Sequence, residues 1–479
     1  MRLKQLPALI LVSFFGLASA QNDSFYATMD AKNASDLKNA YPQEVEIYST
    51  ENNQSALKMS KNAAEFIHKN VLTHGPGYVF KSTKDDALKA ISVSNKSTKV
   101  LNFTITEDAL VAQALPKVDA ENIRSHIQTL QNYGNRRHNT ASGRQSSLDL
   151  RDKWQSMITA SGRSDISVRL VPHTGTTMNS VVLTIEGQST PSEFVIVGGH
   201  LDTTAFGPNT AAPGADDDAS GIATITEMFR VLLDLNYKPQ RTIEFMAFAA
   251  EEIGLVGSSE IATSYANQGK NVIAFVQFDM VNYKGSQKDI YFSTDDFVST
   301  DLNLFLIELI AHYNTTGNHV LTYGNTICNY GCSDHYSFAS KGYDAAFPFE
   351  ASFNQSNPYI HSANDTLANM GNSATHAAKF AKLGLEFIIE ASKSYTLATE
   401  NTVKNDIQFY TNNNRVHYNL AGKKASTVQV IDITGKVVLD KHSILTIGTL
   451  ETQNLPKGVY LAVFRSNSEK PITKKFVIK

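Results

Sequence analysis

From about residue 109 to 398, short apolar runs rich in β-branched residues alternate with stretches of helical periodicity. The runs are Ser180 to Ile185, Phe194 to Val197, Thr242 to Phe248 and Val272 to Phe278. Helical stretches cover Ala120 to Tyr133, Leu148 to Ser161, Ala219 to Leu235 and Ser258 to Asn267, with a last one from Ala374 to Ser394. This alternation predicts an α/β fold, a doubly wound and mostly parallel sheet with helices on both faces. Near-continuous apolar strands fit the buried centre of such a sheet. Ligands of open α/β sheets bind beyond the carboxyl ends of the strands, so chemistry is expected just after each run.

The residues there are imidazole and carboxylate. Phe194 to Gly199 runs into His200-Leu-Asp202, Thr242 to Ala250 into Glu251-Glu252, and Val272 to Phe278 into Asp279. Between the first two lies Pro213-Gly-Ala-Asp216-Asp217-Asp218-Ala-Ser-Gly221, directly before a helical stretch. Singly, each has an ordinary explanation: a helix N-cap for Asp218, a solvated surface pair for the glutamates, a turn residue for Asp279, a satisfied core histidine for His200. Together they do not, because carboxylates converging on one crevice repel by about 4 kcal/mol per pair at 4 Å and an effective dielectric near 20. Cations resolve that repulsion, and two Zn²⁺ balance Asp217, Asp279, Glu252 and Glu251. Consecutive Glu251 and Glu252 cannot share one face of a regular strand. The chain must leave β geometry there, and the nearby Gly254 suits such a departure.

Other chemistries are disfavoured. No glycine-rich phosphate loop with an adjoining lysine is present, and Ser333-Asp334-His335 cannot form a hydrolase triad from three consecutive residues. A formal net charge of −3 over 479 residues gives no polybasic signal for nucleic acid.

The ordered motifs Gly198-Gly-His-Leu-Asp202, Ala212-Pro-Gly-Ala-Asp-Asp-Asp-Ala-Ser-Gly221, Ala249-Ala-Glu-Glu252, Phe278-Asp-Met280, Cys328-Asn-Tyr-Gly-Cys-Ser-Asp-His335 and Asn357-Pro-Tyr-Ile-His361 resemble those of the bacterial leucyl aminopeptidases, secreted two-zinc exopeptidases. The resemblance implies that Asp217 bridges two zinc ions, with His200 and Asp279 completing one site and Glu252 and His361 the other. It implies Glu251 as general base, Asp202 as the carboxylate that orients His200, and Tyr330 as hydrogen-bond donor to the oxyanion. Met280, Phe347, Phe349, Phe353 and Ile360 correspond to the apolar pocket for the substrate's N-terminal side chain. Phe347 stands where the family usually has methionine, and Ser293 and Ser356 where it has larger residues. The expected reaction is hydrolysis of the first peptide bond of peptides with a free α-amine, leucine or another large apolar residue being preferred. Two other readings compete: a glutaminyl cyclase, which shares the fold but holds one zinc, and a non-catalytic surface-binding protein. Retention of both His200 and Asp279 argues against the first, and Glu251 against the second.

The flanks read differently. Arg2 and Lys4, an apolar run from Leu9 to Leu17 and Ala18-Ser19-Ala20 form a secretory signal peptide over residues 1–20. The run is shorter than the roughly 20 residues a membrane span needs. In an exported chain the two cysteines, Cys328 and Cys332, are expected to form a local disulfide. Residues 21–108 are polar and read as a propeptide that covers the cleft, with helix-like periodicity at Ala56 to His68 and strand-like composition at Ser92 to Ser94 and Val100 to Thr106. Asn-x-Ser/Thr sequons occur at Asn33, Asn53, Asn95 and Asn102. After the catalytic domain, 109–398, residues 399–479 comprise an Asn-rich linker, Asn401 to Asn414, and a small all-β module. Gly435-Lys436, Leu455-Pro-Lys-Gly-Val-Tyr460 and the terminal Lys-Phe-Val-Ile-Lys resemble the C-terminal sorting domain of the type IX secretion system, which implies the secretion machinery as a partner. Peptide substrates, no membrane span and a monomer complete the expectation.

Overall fold

The computed structural model describes residues 24–70, 74–92, 101, 103–207, 209–395, 408–412, 415–420, 423, 425–466 and 471–478. The expected signal peptide lies outside the described residues.

The chain begins with a small α+β unit. Strands β1 (Ser24–Asp30), β2 (Val45–Glu51), β3 (Gln54–Ser60) and β4 (Val79–Lys81) form an antiparallel sheet in the order β2-β3-β1-β4. Helices α1 (Ala31–Ala40), α2 (Lys61–Asn70) and α3 (Lys84–Ser92) complete it. The expected helix from Ala56 is corrected: β3 continues to Ser60, whose side chain accepts from the Ala63 N–H and so starts α2 only at Lys61. Burial of both faces of β3, Leu57 and Met59 in the unit's core and Ala56 against Ala87 and Ile91, outweighs the helical periodicity of the segment. Ser92 ends α3, and Val93 and Ser94 lie outside the described residues.

Of the strand expected at Val100 to Thr106, Val100 and Asn102 lie outside the described residues, and Leu101 and Phe103 to Thr106 form no strand. Leu101 is buried in the core of the main domain, Phe103 packs on Phe305 at 4.6 Å, and the Thr106 and Glu107 N–H groups donate to the Glu390 carboxylate at 2.9 and 2.8 Å. These residues satisfy their backbone against a helix side chain rather than a neighbouring strand.

The main domain opens with helices α4 (Asp108–Ala114), α5 (Ala120–Gln131) and α6 (Ala141–Ser161). Then follow β5 (Ile166–Val171), β6 (Ser180–Ile185), β7 (Thr190–His200), α7 (Ala219–Asp234), β8 (Arg241–Phe248), α8 (Val256–Asn267) and β9 (Asn271–Gln277). After them come β10 (Ile290–Ser293), α9 (Thr300–Tyr313), β11 (Tyr323–Thr326), α10 (His335–Ala339), β12 (Ala345–Ala346), β13 (Pro348–Phe349) and α11 (Ala377–Ser392). The central sheet has the order β12-β9-β7-β8-β6-β5. Pairings from β12 to β8 are parallel, whereas β6 runs antiparallel to both β8 and β5. The sheet is therefore mixed, and parallel in the half that carries the predicted ligands.

Strand residues alternate between two cores, as the period-2 pleat requires. Val195, Val197, Phe245 and Val276 face Phe229, Leu232 and Phe380 of α7 and α11. Ile196, Met246, Phe248 and Phe275 face Ile261 of α8 and Phe338 of α10. Both faces of β7, β8 and β9 are thus covered, which explains why their sequences read as uninterrupted apolar runs. Among the described residues no helix is long and apolar enough to cross a membrane.

The C-terminal module consists of two antiparallel sheets. One has β15 (Arg415–Asn419) between β14 (Gln408–Asn412) and β18 (Ile447–Glu451); the other orders β17 (Val437–His442), β16 (Thr427–Asp432), β19 (Gly458–Arg465) and β20 (Ile472–Ile478). Gly435, with φ +80°, turns the chain between β16 and β17 where a side chain would be strained. The end of the expected linker is corrected, because Gln408–Asn412 pairs with β15 and Phe409 packs edge-on against Phe464. Residues 401–407 lie outside the described residues. Lys475 pairs with Asp301 of α9 at 3.0 Å, and Asn325 Nδ2 donates to the Ile433 carbonyl at 3.1 Å.

Candidate metal centre and active site

Three adjacent parallel strands, β9-β7-β8, end on one edge of the sheet, and the segments leaving them carry Asp279, His200 and the Glu251-Glu252 pair. Asp217 reaches the same edge from the turn before α7. Its Oδ1 lies 2.9 Å from His200 Nε2, and its Oδ2 lies 3.1 Å from His361 Nε2. Asp279 Oδ1 stands 3.5 Å from His200 Nε2, and Glu252 Oε2 stands 3.2 Å from His361 Nε2. All five side chains are buried. Two donor groups result, sharing one carboxylate.

The donors suit a metal. Asp217, Glu252 and His361 converge with ligand atoms within 4.8 Å of one another, and so do His200, Asp218 and Asp279. Asp279 Oδ1 and both Glu252 carboxylate oxygens are buried without hydrogen-bond partners among the described residues. Imidazole nitrogen with carboxylate oxygen is the donor chemistry of zinc. In the protein alone the histidines serve as counter-ions. Burial would lower His200, but Asp279, Asp202 and Asp217 raise it well above its ordinary value. Burial would likewise lower His361, but Glu252 and Asp217 raise it well above its ordinary value. Asp217 would rise on burial, yet hydrogen bonds from both histidines hold it well below the usual carboxylate range.

A scaffold of hydrogen bonds fixes these groups. Asp218 caps α7, its Oδ1 accepting from the Gly221 N–H at 2.8 Å and its Oδ2 from the His200 N–H at 3.0 Å. Asp365 accepts from the Asp216 and Asp217 N–H groups, both at 3.0 Å, and the peptide between Asp217 and Asp218 is cis. Asn357 Nδ2 donates to Asp216 at 3.0 Å, while Glu350 accepts from the Asn357 and Tyr283 N–H groups. Burial pushes Asp365 up to about 8 and Asp216 up to about 6, so this carboxylate cluster holds protons near neutrality. Arg136, fully buried, donates to the carbonyls of Leu130, Leu201, Pro213 and Gly214, tying the His200 and Asp217 loops together. Ser333 Oγ donates to Asp279 Oδ2 at 2.6 Å.

After β8 the chain leaves β geometry as the paired glutamates require. Ala250 has φ +58°, Glu251–Ile253 form one 3₁₀ turn, and Gly254 has φ +109°. Asp202 makes this turn possible, because its Oδ1 and Oδ2 accept from the Glu251 and Glu252 N–H groups at 2.9 and 3.2 Å. Asp202 Oδ1 also stands 3.7 Å from His200 Nδ1, at ion-pair distance, while the hydrogen-bond partner of that nitrogen is the Asp202 carbonyl at 3.2 Å.

The expected pocket residues come together. Met280, Phe347, Phe349 and Ile360 form one buried apolar cluster with Tyr330 and the Cys328–Cys332 disulfide, and Phe353 packs against it. Ser293, at the end of β10, donates to Asp295 at 2.6 Å.

One residue enters the site that the sequence did not single out. His74, from the N-terminal unit, lies with Nε2 3.3 Å from Asp279 Oδ2 and its ring stacked on Phe349 at 5.5 Å. Its carbonyl accepts from the Tyr330 hydroxyl at 2.5 Å. The flanking Gly75-Pro76-Gly77 was the available signal. Ser333 and Asn357 sat inside motifs already noted, whereas Arg136, Glu350 and Asp365 carried no pattern of their own.

Residues 180–386 match peptidase family M28, and residues 409–479 match a secretion system C-terminal sorting domain. Leucine aminopeptidase 1 of Pyrenophora teres f. teres is 34% identical over 315 residues, covering 63% of this chain and 77% of its own. Leucine aminopeptidase 1 of Leptosphaeria maculans is 33% identical over 346 residues, covering 66% of this chain and 86% of its own. Among solved structures, the LapA aminopeptidase of Legionella pneumophila superposes with a TM-score of 0.67 at 28% identity, over 77% of this chain and 98% of that one.

Proposed function

We propose, from the premise that the chain belongs to peptidase family M28 and is an aminopeptidase, that it is an exported, two-zinc enzyme made as a zymogen and that it removes large apolar N-terminal residues, leucine foremost. The observation that carries this reading is the Asp217 carboxylate, whose two oxygens face His200 and His361 from opposite donor groups. Two divalent cations held there would lower the pKa of a water and polarise the scissile carbonyl.

Glu251 is the general base. Its Oε1 is buried without a hydrogen-bond partner among the described residues. Burial pushes its carboxyl well above the usual range, against the opposing charge of His200 and with the help of Glu252. With two cations beside it the carboxylate would be ionised, free to accept the proton of the attacking water and pass it to the leaving amine. The Tyr330 hydroxyl, released from the His74 carbonyl, donates to the developing oxyanion. Met280, Phe347, Phe349, Phe353 and Ile360 take up the first side chain, which favours leucine and other large apolar residues by the apolar area they bury. The N-terminal unit, whose His74 lies against Asp279 and Tyr330, covers this cleft in the precursor. The sorting-domain match supports export, with residues 1–20 as the signal peptide.

Hydrolysis of Leu-p-nitroanilide tests the reading. A strong chelator is expected to abolish activity, and Glu251→Gln to lower kcat by about 10²–10⁴-fold, the usual share of general-base catalysis, with metal content unchanged. Activity that survives either treatment would sink the mechanism. A full-length form as active as the trimmed one would overturn the zymogen assignment.

A further inference from the structure

The N-terminal unit does more than lie across the cleft. His74 is 1% exposed, and neither of its ring nitrogens has a hydrogen-bond partner among the described residues. Buried ring nitrogens without a hydrogen bond are costly unless something binds them, and Nε2 faces Asp279 Oδ2 at 3.3 Å, a carboxylate of the donor group. What the ring faces is the donor group itself, since His74, Asp217 and Asp279 bring ligand atoms within 4.8 Å of one another.

The backbone is shaped for this entry. Gly75 has φ +62°, and a Cβ there would come within 2.5 Å of the Cys332 carbonyl oxygen, so a side chain would hold the segment out of the site. On the other side the Phe80 N–H donates to the Gly254 carbonyl at 2.9 Å, in the turn that carries Glu251 and Glu252. Between these anchors His74 takes the posture of a substrate's first residue. Its ring is among Phe347, Phe349 and Phe353, at centroid distances of 5.9, 5.5 and 6.1 Å, and its carbonyl is on Tyr330.

We propose that, in the precursor, His74 Nε2 is a protein ligand of the cation held by His200, Asp217 and Asp279. Catalytic zinc sites keep one position open for water, whereas sites filled by protein donors are closed and structural. His74 therefore turns a catalytic site into a closed one, and removal of the N-terminal unit reopens it. This rests on the two-metal reading above and extends it to a ligand that the mature enzyme lacks.

The test uses the full chain loaded with Co²⁺, alongside His74→Ala, His74→Phe and the trimmed enzyme. His74→Phe keeps a ring for the aromatic pocket and removes the nitrogen. The expected result is an altered visible d–d spectrum in both variants, matching each other. Metal transfer to a competing chromophoric chelator should quicken by at least about tenfold, the scale reached when even an outer-shell partner of a ligand is lost. Circular dichroism matching the wild type would show that His74→Phe is folded. If His74→Phe keeps the wild-type spectrum and release rate, His74 is only a packing plug and the inference falls. If the trimmed enzyme binds Co²⁺ and cleaves Leu-p-nitroanilide in that case, the two-metal reading survives without it. A trimmed enzyme that takes up no metal would overturn both.

Discussion

At the scale of single residues, the site depends on carboxylates whose oxygens are divided between tasks. Asp279 offers one oxygen to His200 and the other to Ser333. Ser333→Ala is expected to leave the fold intact and to weaken metal binding by about 10–100-fold, as outer-shell losses do, measured by chelator competition. Asp202 spends both oxygens on the Glu251 and Glu252 N–H groups. An amide there would set N–H against N–H, so Asp202→Asn should lower kcat more than it changes KM for Leu-p-nitroanilide. Protonation follows from the same geometry. His200 and His361 titrate well above the ordinary imidazole value because of Asp279 and Glu252, which outweigh burial. Below those raised values each imidazole holds a proton that a cation must displace. Metal affinity should therefore fall as pH falls, and uptake should release protons, read by calorimetry in buffers of different ionisation enthalpy.

At the scale of elements, the parallel strands β9, β7 and β8 deliver one ligand segment each to the same edge, and α7 delivers Asp217 between them. Strand type and approximate span were legible because both faces of these strands are buried, which leaves an apolar run. Antiparallel β6 gives the same run for the same reason, so the strand direction was not legible. The helix expected over Ala56 to His68 forms only from Lys61, because β3 and α2 abut with no turn residue between them. Gly221, in the first turn of α7, marks how closely that helix meets β9: a Cβ would sit 2.0 Å from the Phe278 carbonyl oxygen and 2.5 Å from Asp218 Oδ1. Gly221→Ala should thus cost at least the roughly 1–3 kcal/mol typical of overpacking, seen as a lower urea midpoint. It should weaken metal binding too, because Asp218 caps the helix and also holds the His200 N–H.

At the scale of the whole molecule, the five side chains that cluster at the sheet edge and the apolar group around Met280 could be named from motif spacing, and the buried supports could not. Arg136 binds carbonyls, which any residue possesses, so no partner in the sequence betrays it; His74 lies far from the motifs it meets. The C-terminal module meets the main domain through the partly exposed Lys475–Asp301 pair, of the kind worth about 0–1 kcal/mol, and through Leu461, buried in the main core, with Val459 packed against it. A chain ending at residue 398 should keep kcat/KM for Leu-p-nitroanilide within about twofold, since no described residue of the module is among the clustered donors, and should lose stability through the packing of Leu461, read as a lower urea midpoint.

The stretch from Leu101 to Glu107 gives activation a boundary. Leu101 lies in the main core, Phe103 packs on Phe305, and Glu390 holds the Thr106 and Glu107 N–H groups. By its packing this stretch belongs to the main domain, although composition groups it with the segment whose removal is proposed above. A processing protease that cut after it would tear out a seam of the body it meant to free. The new N-terminus found by intact mass and terminal sequencing should accordingly lie before Leu101, leaving the released enzyme a short strap fastened along α11.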